Sequence, residues 1–378
     1  MRVLVTDADF KNALSVIRNL GQHGVEVVAA APKKLALGFC SRFCTERTIY
    51  PPPQDDRAFR DWLLRTIKAR RIDVVLPVGD LTTTAVSRLK PQIEPYAHVP
   101  VADWAAMRIA SSKQETMRFA KGIGVAIPRT YAVSETVESF PVVVKPSEGS
   151  GRVRYVNTAA ELAGRERQDA VVQEYIPGDG RAFFSLFDRG VLRAAFMHRR
   201  LREYPVTGGP STAAESIADP ILAELGLRLL QSLRWHGVAM AEFKRDHRNG
   251  SYVLMEINPK FWGSLDLAVA AGVEFPWLTV QMALGESFPS VTEYRIGARF
   301  RWVFDDLLHV LARPKDLSAF LRDFWDPRVQ DDLRWDDPGP SLFRAAAVSA
   351  ILVRRIARGT LRYPHGIPAA PSETRGMA

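Results

Sequence analysis

The sequence predicts an α/β protein that begins with a small parallel α/β unit and ends in helices. Three observations carry this. Residues 2–31 alternate strand, helix and strand (Arg2–Thr6, Asn12–Leu20, Val25–Ala30), the pattern of βαβ units on a parallel sheet. Two extended apolar runs, Gly237–Phe243 and Ser251–Ile257, flank the polar turn Arg245-Asp-His-Arg-Asn-Gly250, and Asn-Gly just ahead of a strand signals a hairpin. Beyond residue 290 helical spacing takes over at Ala298–Leu311, Pro314–Phe324 and Leu342–Thr360, with breaks at Trp325-Asp-Pro and Asp336-Asp-Pro-Gly-Pro340.

Composition narrows the function classes. At 378 residues, 47% hydrophobic and 25% charged, the chain is a globular one with room for two or three domains. No apolar run approaches the ~18 residues of a membrane span. Met1 leads directly into Val3-Leu-Val5 without signal-peptide features, and the two cysteines, Cys40 and Cys44, have no nearby histidine. A cytoplasmic protein with ordinary thiols is expected. The net charge is +9, and residues 338–378 carry six Arg against one Glu. Aromatics do not interleave with the basic residues as a single-strand binder needs, so no nucleic-acid partner is expected.

In chain order, the first β–α turn reads Thr6-Asp-Ala-Asp-Phe10, which lacks the G-x-G-x-x-G of a dinucleotide site. Pro51-Pro-Pro53 marks a loop. Phe59–Lys68 is helical, Val74–Pro77 is a buried strand, and Asp80, a candidate site residue, opens a helix over Leu81–Leu89. Ser111 to Gly122 is a helix bounded by a Ser cap and a Gly stop, with Lys113 in its first turn. Phe140–Lys145 is an apolar strand whose terminal lysine needs an anion if buried. The loop after it, Ser147-Glu-Gly-Ser-Gly151, can turn backbone N–H groups toward phosphates. No G-x-x-x-x-G-K-[ST] occurs, so a P-loop is excluded. Ala170–Ile176 is another strand, running into Pro177-Gly-Asp-Gly180. His198 to Ser211 is a basic segment in which Arg199, Arg200 and Arg202 suit carboxylate or phosphate groups. Residues 220–234 form an amphipathic helix that leads into the hairpin.

Each hairpin strand carries one carboxylate in an apolar stretch, Glu242 and Glu256, with Asn258 two residues on. Facing side chains on paired strands lie about 5 Å apart. Two carboxylates that close call for a cation, and hard oxygen ligands suit Mg2+, which commonly sits on one or two carboxylates plus substrate phosphates.

Taken together, Glu242-Phe-Lys244 and Glu256-Ile-Asn-Pro-Lys260 resemble the metal-binding hairpin of the ATP-grasp superfamily, with Lys260 in place of the customary Arg. Four further segments match in family order: the Lys113 helix, Gly124-Val-Ala-Ile-Pro128, Lys145-Pro-Ser-Glu-Gly-Ser-Gly151 and Gln173-Glu-Tyr-Ile-Pro-Gly178. The resemblance covers roughly residues 110–265. It implies an α+β ATP-grasp core of two subdomains, preceded by the small α/β domain. The expected boundaries are 1–108 for the first domain, 109–290 for the core with a lid subdomain at about 125–175, and 291–378 for a helical extension bearing a basic helix at 341–362.

The resemblance also implies site roles. Lys113 and Lys145 would meet the nucleotide phosphates, with Ser147, Gly149, Ser150 and Gly151 in the lid loop. The stretch Gln173, Glu174, Tyr175 and Ile176 would hold adenine through its backbone, and Asp179 would take the ribose. Glu242, Glu256 and Asn258 would carry Mg2+, with Mn2+ as the alternative ion. Lys260, Arg199 and Arg200 would face the reacting carboxylate. The expected function is ATP-dependent activation of a small-molecule carboxylate as an acyl phosphate, followed by coupling to an amine. Alternatives are activation of bicarbonate or carbamate, or a nucleotide-binding protein without catalysis. The basic helix either docks on the protein or lies on an anionic membrane, which would make the cytoplasmic protein peripheral.

Overall fold

The computed structural model describes residues 1–132, 135–146, 153–162, 170–206 and 209–359. The first sheet is built from β1 (Arg2–Val5), β2 (Glu26–Ala31), β3 (Cys44–Ile49) and β4 (Val74–Leu76), in the order β3-β2-β1-β4 and parallel throughout. Helices α1 (Lys11–Gln22), α2 (Asp56–Arg70) and α3 (Asp80–Ile93) cover it. The continuous apolar reading of Val3-Leu-Val5 follows from burial on both faces. Where β1 ends, Asp7 takes a positive φ of 58°. Its carboxylate accepts from Tyr50 Oη at 2.8 Å, from the Gly79 amide at 2.7 Å and from Thr82 Oγ1 at 2.5 Å. This buried node fixes the start of α3, and with it Asp80.

Next come α4 (Trp104–Ser111) and α5 (Lys113–Gly122). Ser112 caps α5, its Oγ accepting from Glu115 N at 3.3 Å, so Lys113 sits at the helix entrance. A small antiparallel sheet follows: β5 (Thr130–Tyr131), β6 (Val142–Pro146), β7 (Arg154–Val156) and β8 (Ala170–Glu174), in the order β5-β8-β6-β7, with α6 (Ala159–Leu162) against it. Its core is modest: Tyr131, Val142, Val144, Val156, Leu162 and Val172.

The central sheet is β9 (Gly178–Asp188), β10 (Val191–Glu203), β11 (Ser211–Ser216), β12 (Gly237–Asp246), β13 (Tyr252–Asn258), β14 (Arg299–Arg301) and β15 (Val329–Asp331). Its order is β13-β12-β9-β10-β11-β14-β15. Side chains alternate between two cores. Phe183, Phe243 and Leu254 share one with residues of α5 and of α7 (Pro220–Ser232), whereas Phe184, Phe196 and Trp262 share the other with α1, α8 (Leu265–Ala271) and α9 (Phe275–Ala283). Gly237, at φ +89°, lets β12 start against the first domain, because a Cβ there would stand 2.2 Å from the Pro100 carbonyl oxygen.

The basic segment that opens at His198 begins as the end of strand β10, paired with β9 as far as Arg199 and with β11 as far as Glu203. One expectation changes here. The stretch from Ala298 begins as strand β14 rather than helix, because it completes the edge of β11. Helix α10 (Val303–Ala312) follows, then α11 (Leu317–Arg322) and α12 (Pro338–Ala357). Buried Asp306 anchors α10, accepting from Arg202 Nε at 2.8 Å, Arg202 Nη2 at 2.7 Å and Thr212 Oγ1 at 2.8 Å.

Candidate functional site

A cleft of about 440 Å³ is lined by the small β5–β8 sheet and by one face of the central sheet. The hairpin β12–β13 supplies its floor. Glu242 pairs with Glu256 across the two strands, Glu242 also pairs with Ala182 of β9, and Ala182 pairs with His198 of β10. One row therefore carries Glu256, Glu242, Ala182 and His198 on the same face, as strand alternation requires.

The two carboxylates are not left to repel each other alone. Arg200 Nη2 lies 3.4 Å from Glu242 Oε1, while Arg200 Nη1 holds Glu203 at 2.8 Å and its Nε donates to Ser211 Oγ at 3.2 Å. Burial pushes the Glu242 carboxyl above its ordinary range, Arg200 opposes this, and Glu256 adds to it. Across the cleft stands Lys145. Burial pulls its ammonium below the usual range, Glu256 and Glu242 push it back up, and Lys113 lowers it further. Two lysines and two glutamates thus line one cleft.

Asn258 Nδ2 donates to Glu256 Oε1 at 2.7 Å, leaving its amide oxygen as an acceptor. Among the described residues, no group of three or more His, Cys, Asp or Glu side chains forms a metal cage. Two carboxylates and an amide oxygen are an incomplete set of hard ligands. Such a set fits Mg2+, which keeps waters and substrate oxygens in its remaining positions.

At the β8 end, Gln173, Glu174, Tyr175 and Ile176 all line the cleft. Lys244 Nζ donates to the Ile176 carbonyl at 2.9 Å and stands 5.0 Å from the Tyr175 ring centroid. Tyr155 meets Tyr175 edge-on at 5.8 Å, and burial, followed by Tyr175, pushes its phenol up to about 12. At the opposite end, Lys260 forms an ion pair with Asp80, which stands at the start of α3. Beside them buried His198 shares a 2.6 Å hydrogen bond between Nε2 and Ser264 Oγ. Burial and then Arg200 bring its pKa down to about 3, so the ring is neutral. Its Nδ1 and the Trp262 indole N–H are buried without partners among the described residues.

The expected residues divide accordingly. Lys113, Lys145, Gln173, Glu174, Tyr175, Ile176, Arg200, Glu242, Glu256, Asn258 and Lys260 meet in the cleft. Arg199 does not join them. Successive strand residues face opposite ways, so it pairs with Glu215 at 2.6 Å instead. Arg202 is diverted to Asp306 and Asp323, because β10 shifts register against β11 between Arg200 and Arg202. Asp179 stands exposed beside His247, 3.2 Å away, outside the lining. Ser147, Gly149, Ser150 and Gly151 lie outside the described residues. Sequence reasoning missed His198, Lys244, Tyr155, Trp262 and Ser264. For His198 and Lys244 the two-residue spacing from Arg200 and Glu242 was the available signal.

Comparison with known proteins agrees with this architecture. A family described as ATP-grasp in the biosynthetic pathway with Ter operon matches residues 166–305. A D-alanine–D-alanine ligase of Fusobacterium nucleatum is 31% identical over 78 residues, a stretch that is 20% of this chain and 27% of that protein's length. Among solved structures, a biotin carboxylase of Campylobacter jejuni in complex with β,γ-ATP superposes with a TM-score of 0.64 at 14% identity, over 79% of this chain and 74% of its own. An L-amino acid ligase of Bacillus licheniformis superposes at 0.61 and 18% identity, over 75% and 74% of the two chains.

Proposed function

The chain has an ATP-grasp fold, and on that frame we propose that it is an ATP- and Mg2+-dependent ligase that joins a small-molecule carboxylate to an amine. The observation that carries this reading is the meeting, in one cleft, of Lys113 and Lys145 with Glu242, Glu256 and Asn258. Phosphoryl transfer asks mainly for positioning and charge neutralisation. Lys145 and Lys113 would hold nucleotide phosphates, and the backbone from Glu174 to Ile176 the base. Glu242, Glu256 and the Asn258 amide oxygen would hold Mg2+, which when bound would neutralise charge on the phosphates. Lys260 and Arg200 stand at the substrate end, where the carboxylate attacks the γ-phosphate to give an acyl phosphate and ADP. The amine then displaces phosphate, and Lys260 steadies the oxyanion formed. In this reading residues 1–108 form the preceding domain, 109–290 the core and 291–378 the extension.

Support comes from the donor set of the cleft and from likeness to two ligases, one by sequence over a short stretch and one by fold. The alternative is activation of bicarbonate, which the likeness to a biotin carboxylase favours. Partners are proposed to be small molecules, with no nucleic acid. The test is release of phosphate from MgATP with paired amino acids, against bicarbonate alone. A product whose mass equals two substrates less one water supports ligation. Turnover that needs bicarbonate and no amine favours the alternative.

A further inference from the structure

The C-terminal extension exposes an apolar surface that the cleft does not use. Helix α12 docks by one side only. Val348 is buried and Leu352 half-buried against Leu308, Ala312 and Tyr204. Arg344 donates to Asp305 at 2.6 Å, and Arg355 bonds the Tyr204 hydroxyl. The other side faces solvent, and it is not polar. Leu342 is 71% exposed and Val353 68%, with Ile351 and Ile356 also exposed. Trp335, three residues before the helix, is 99% exposed, and Trp325, after α11, 88%. Isolated exposed apolar residues are ordinary, but a concentration of this kind marks an interaction site.

Charge selects the partner. From Pro338 to Arg358 there is no Asp or Glu, and Arg354 and Arg358 are exposed beside the apolar side chains. Branched aliphatic residues and arginines on one helix, with Trp335 exposed in the turn just ahead of it beside Asp336, suit a helix lying in a membrane interface, where the aromatic sits at headgroup level and the helix cations meet anionic lipid. No described helix is long and apolar enough to cross a membrane, so such a segment would lie on the surface.

We infer that α12, with Trp335, is a peripheral docking surface for anionic lipid bilayers. The inference stands apart from the chemistry of the cleft. The test is co-sedimentation of the full chain with phosphatidylglycerol vesicles and with phosphatidylcholine vesicles at low salt. Val353→Glu/Ile356→Glu and Trp335→Ser are run alongside, and the oligomeric state is followed by sedimentation velocity. Both variants change exposed side chains, so unchanged circular dichroism is expected. The full chain should partition onto phosphatidylglycerol, poorly onto phosphatidylcholine, and less well at high salt. The double variant should lose about tenfold or more of this partition, and Trp335→Ser a smaller part. Three results would each overturn the inference: no sedimentation of the full chain, equal binding to neutral vesicles, or a dimer that Val353→Glu/Ile356→Glu dissociates while lipid binding persists. The last would assign the face to a second copy of this chain.

Discussion

Lys260, just after β13, is ion-paired with Asp80 at the start of α3, across the boundary between two sheets. The contact depends on Asp7, whose carboxylate holds Gly79 and Thr82 and so fixes the start of α3. The first sheet is thereby tied to the Lys260 end of the cleft. Lys260→Ala should spare binding of nucleotide and Mg2+ while slowing amide formation by roughly 10²–10³. Asp80→Asn should have a smaller effect that disappears in the Lys260→Ala background, as expected of residues that act as one unit. Rapid-quench kinetics of the double-mutant cycle checks this. Equal effects of Asp80→Asn with and without Lys260 would separate the two residues.

Lys145 reaches the cleft at the cost of burial and is balanced there by Glu242 and Glu256. Lys145→Ala should weaken ATP binding by about tenfold or more, since charge-assisted contacts contribute about 1.5–3 kcal/mol each. Calorimetric titration with ATP measures it. Unchanged affinity would remove Lys145 from the phosphate site.

Strand alternation separates two adjacent arginines. Arg200→Ala should cut turnover at least tenfold, as its guanidinium lines the cleft and contacts Glu242. Arg199→Ala, on the opposite face with Glu215, should change kcat/KM by less than about twofold. The reverse ranking would mean that β10 presents the other face.

These two arginines show where the sequence was legible and where it was not. Motifs at the start of α5, at strand ends and in the hairpin pointed to Lys113, Lys145, Gln173–Ile176, Glu242, Glu256 and Asn258, because each motif lies within one short segment of the chain. What remained hidden depended on long-range register. Arg199 and Arg200 look alike in sequence, and only the pairing of β10 with β9 and β11 decides which of them faces the cleft. His198 reaches the site through the same pairing, and Lys244 through that of β12 with β9 and β13. The Ala298–Leu311 stretch looks helical by spacing, yet the open edge of β11 captures Arg299–Arg301 as a strand. Asp179 fits the motif but stands exposed outside the cleft lining, 3.2 Å from the His247 ring.

His198 predicts a pH dependence of stability. Its folded pKa lies at about 3, below the ordinary 6.5. Between these values the unfolded chain holds a proton that the folded chain does not. Stability therefore rises with pH across that window and falls as pH drops below about 6.5. His236, lowered to about 4 by burial first, adds a second contribution of the same sign. Urea unfolding from pH 7 to pH 4.5 should show a shallower acid loss in His198→Gln than in the wild type. An unchanged slope would mean that His198 is charged in the folded protein.

The most direct test of the proposed chemistry is mass analysis of product from MgATP and paired amino acids, with wild-type protein and with Glu256→Gln. Glu256 stands opposite Glu242 and holds Asn258, so its replacement should abolish turnover in a protein that remains folded. The account predicts an amide of the two substrates, formed one for one with ADP by the wild type and absent with Glu256→Gln. Wild-type levels of product from a folded Glu256→Gln protein, or ADP formation with no coupled product from any carboxylate and amine, would contradict it.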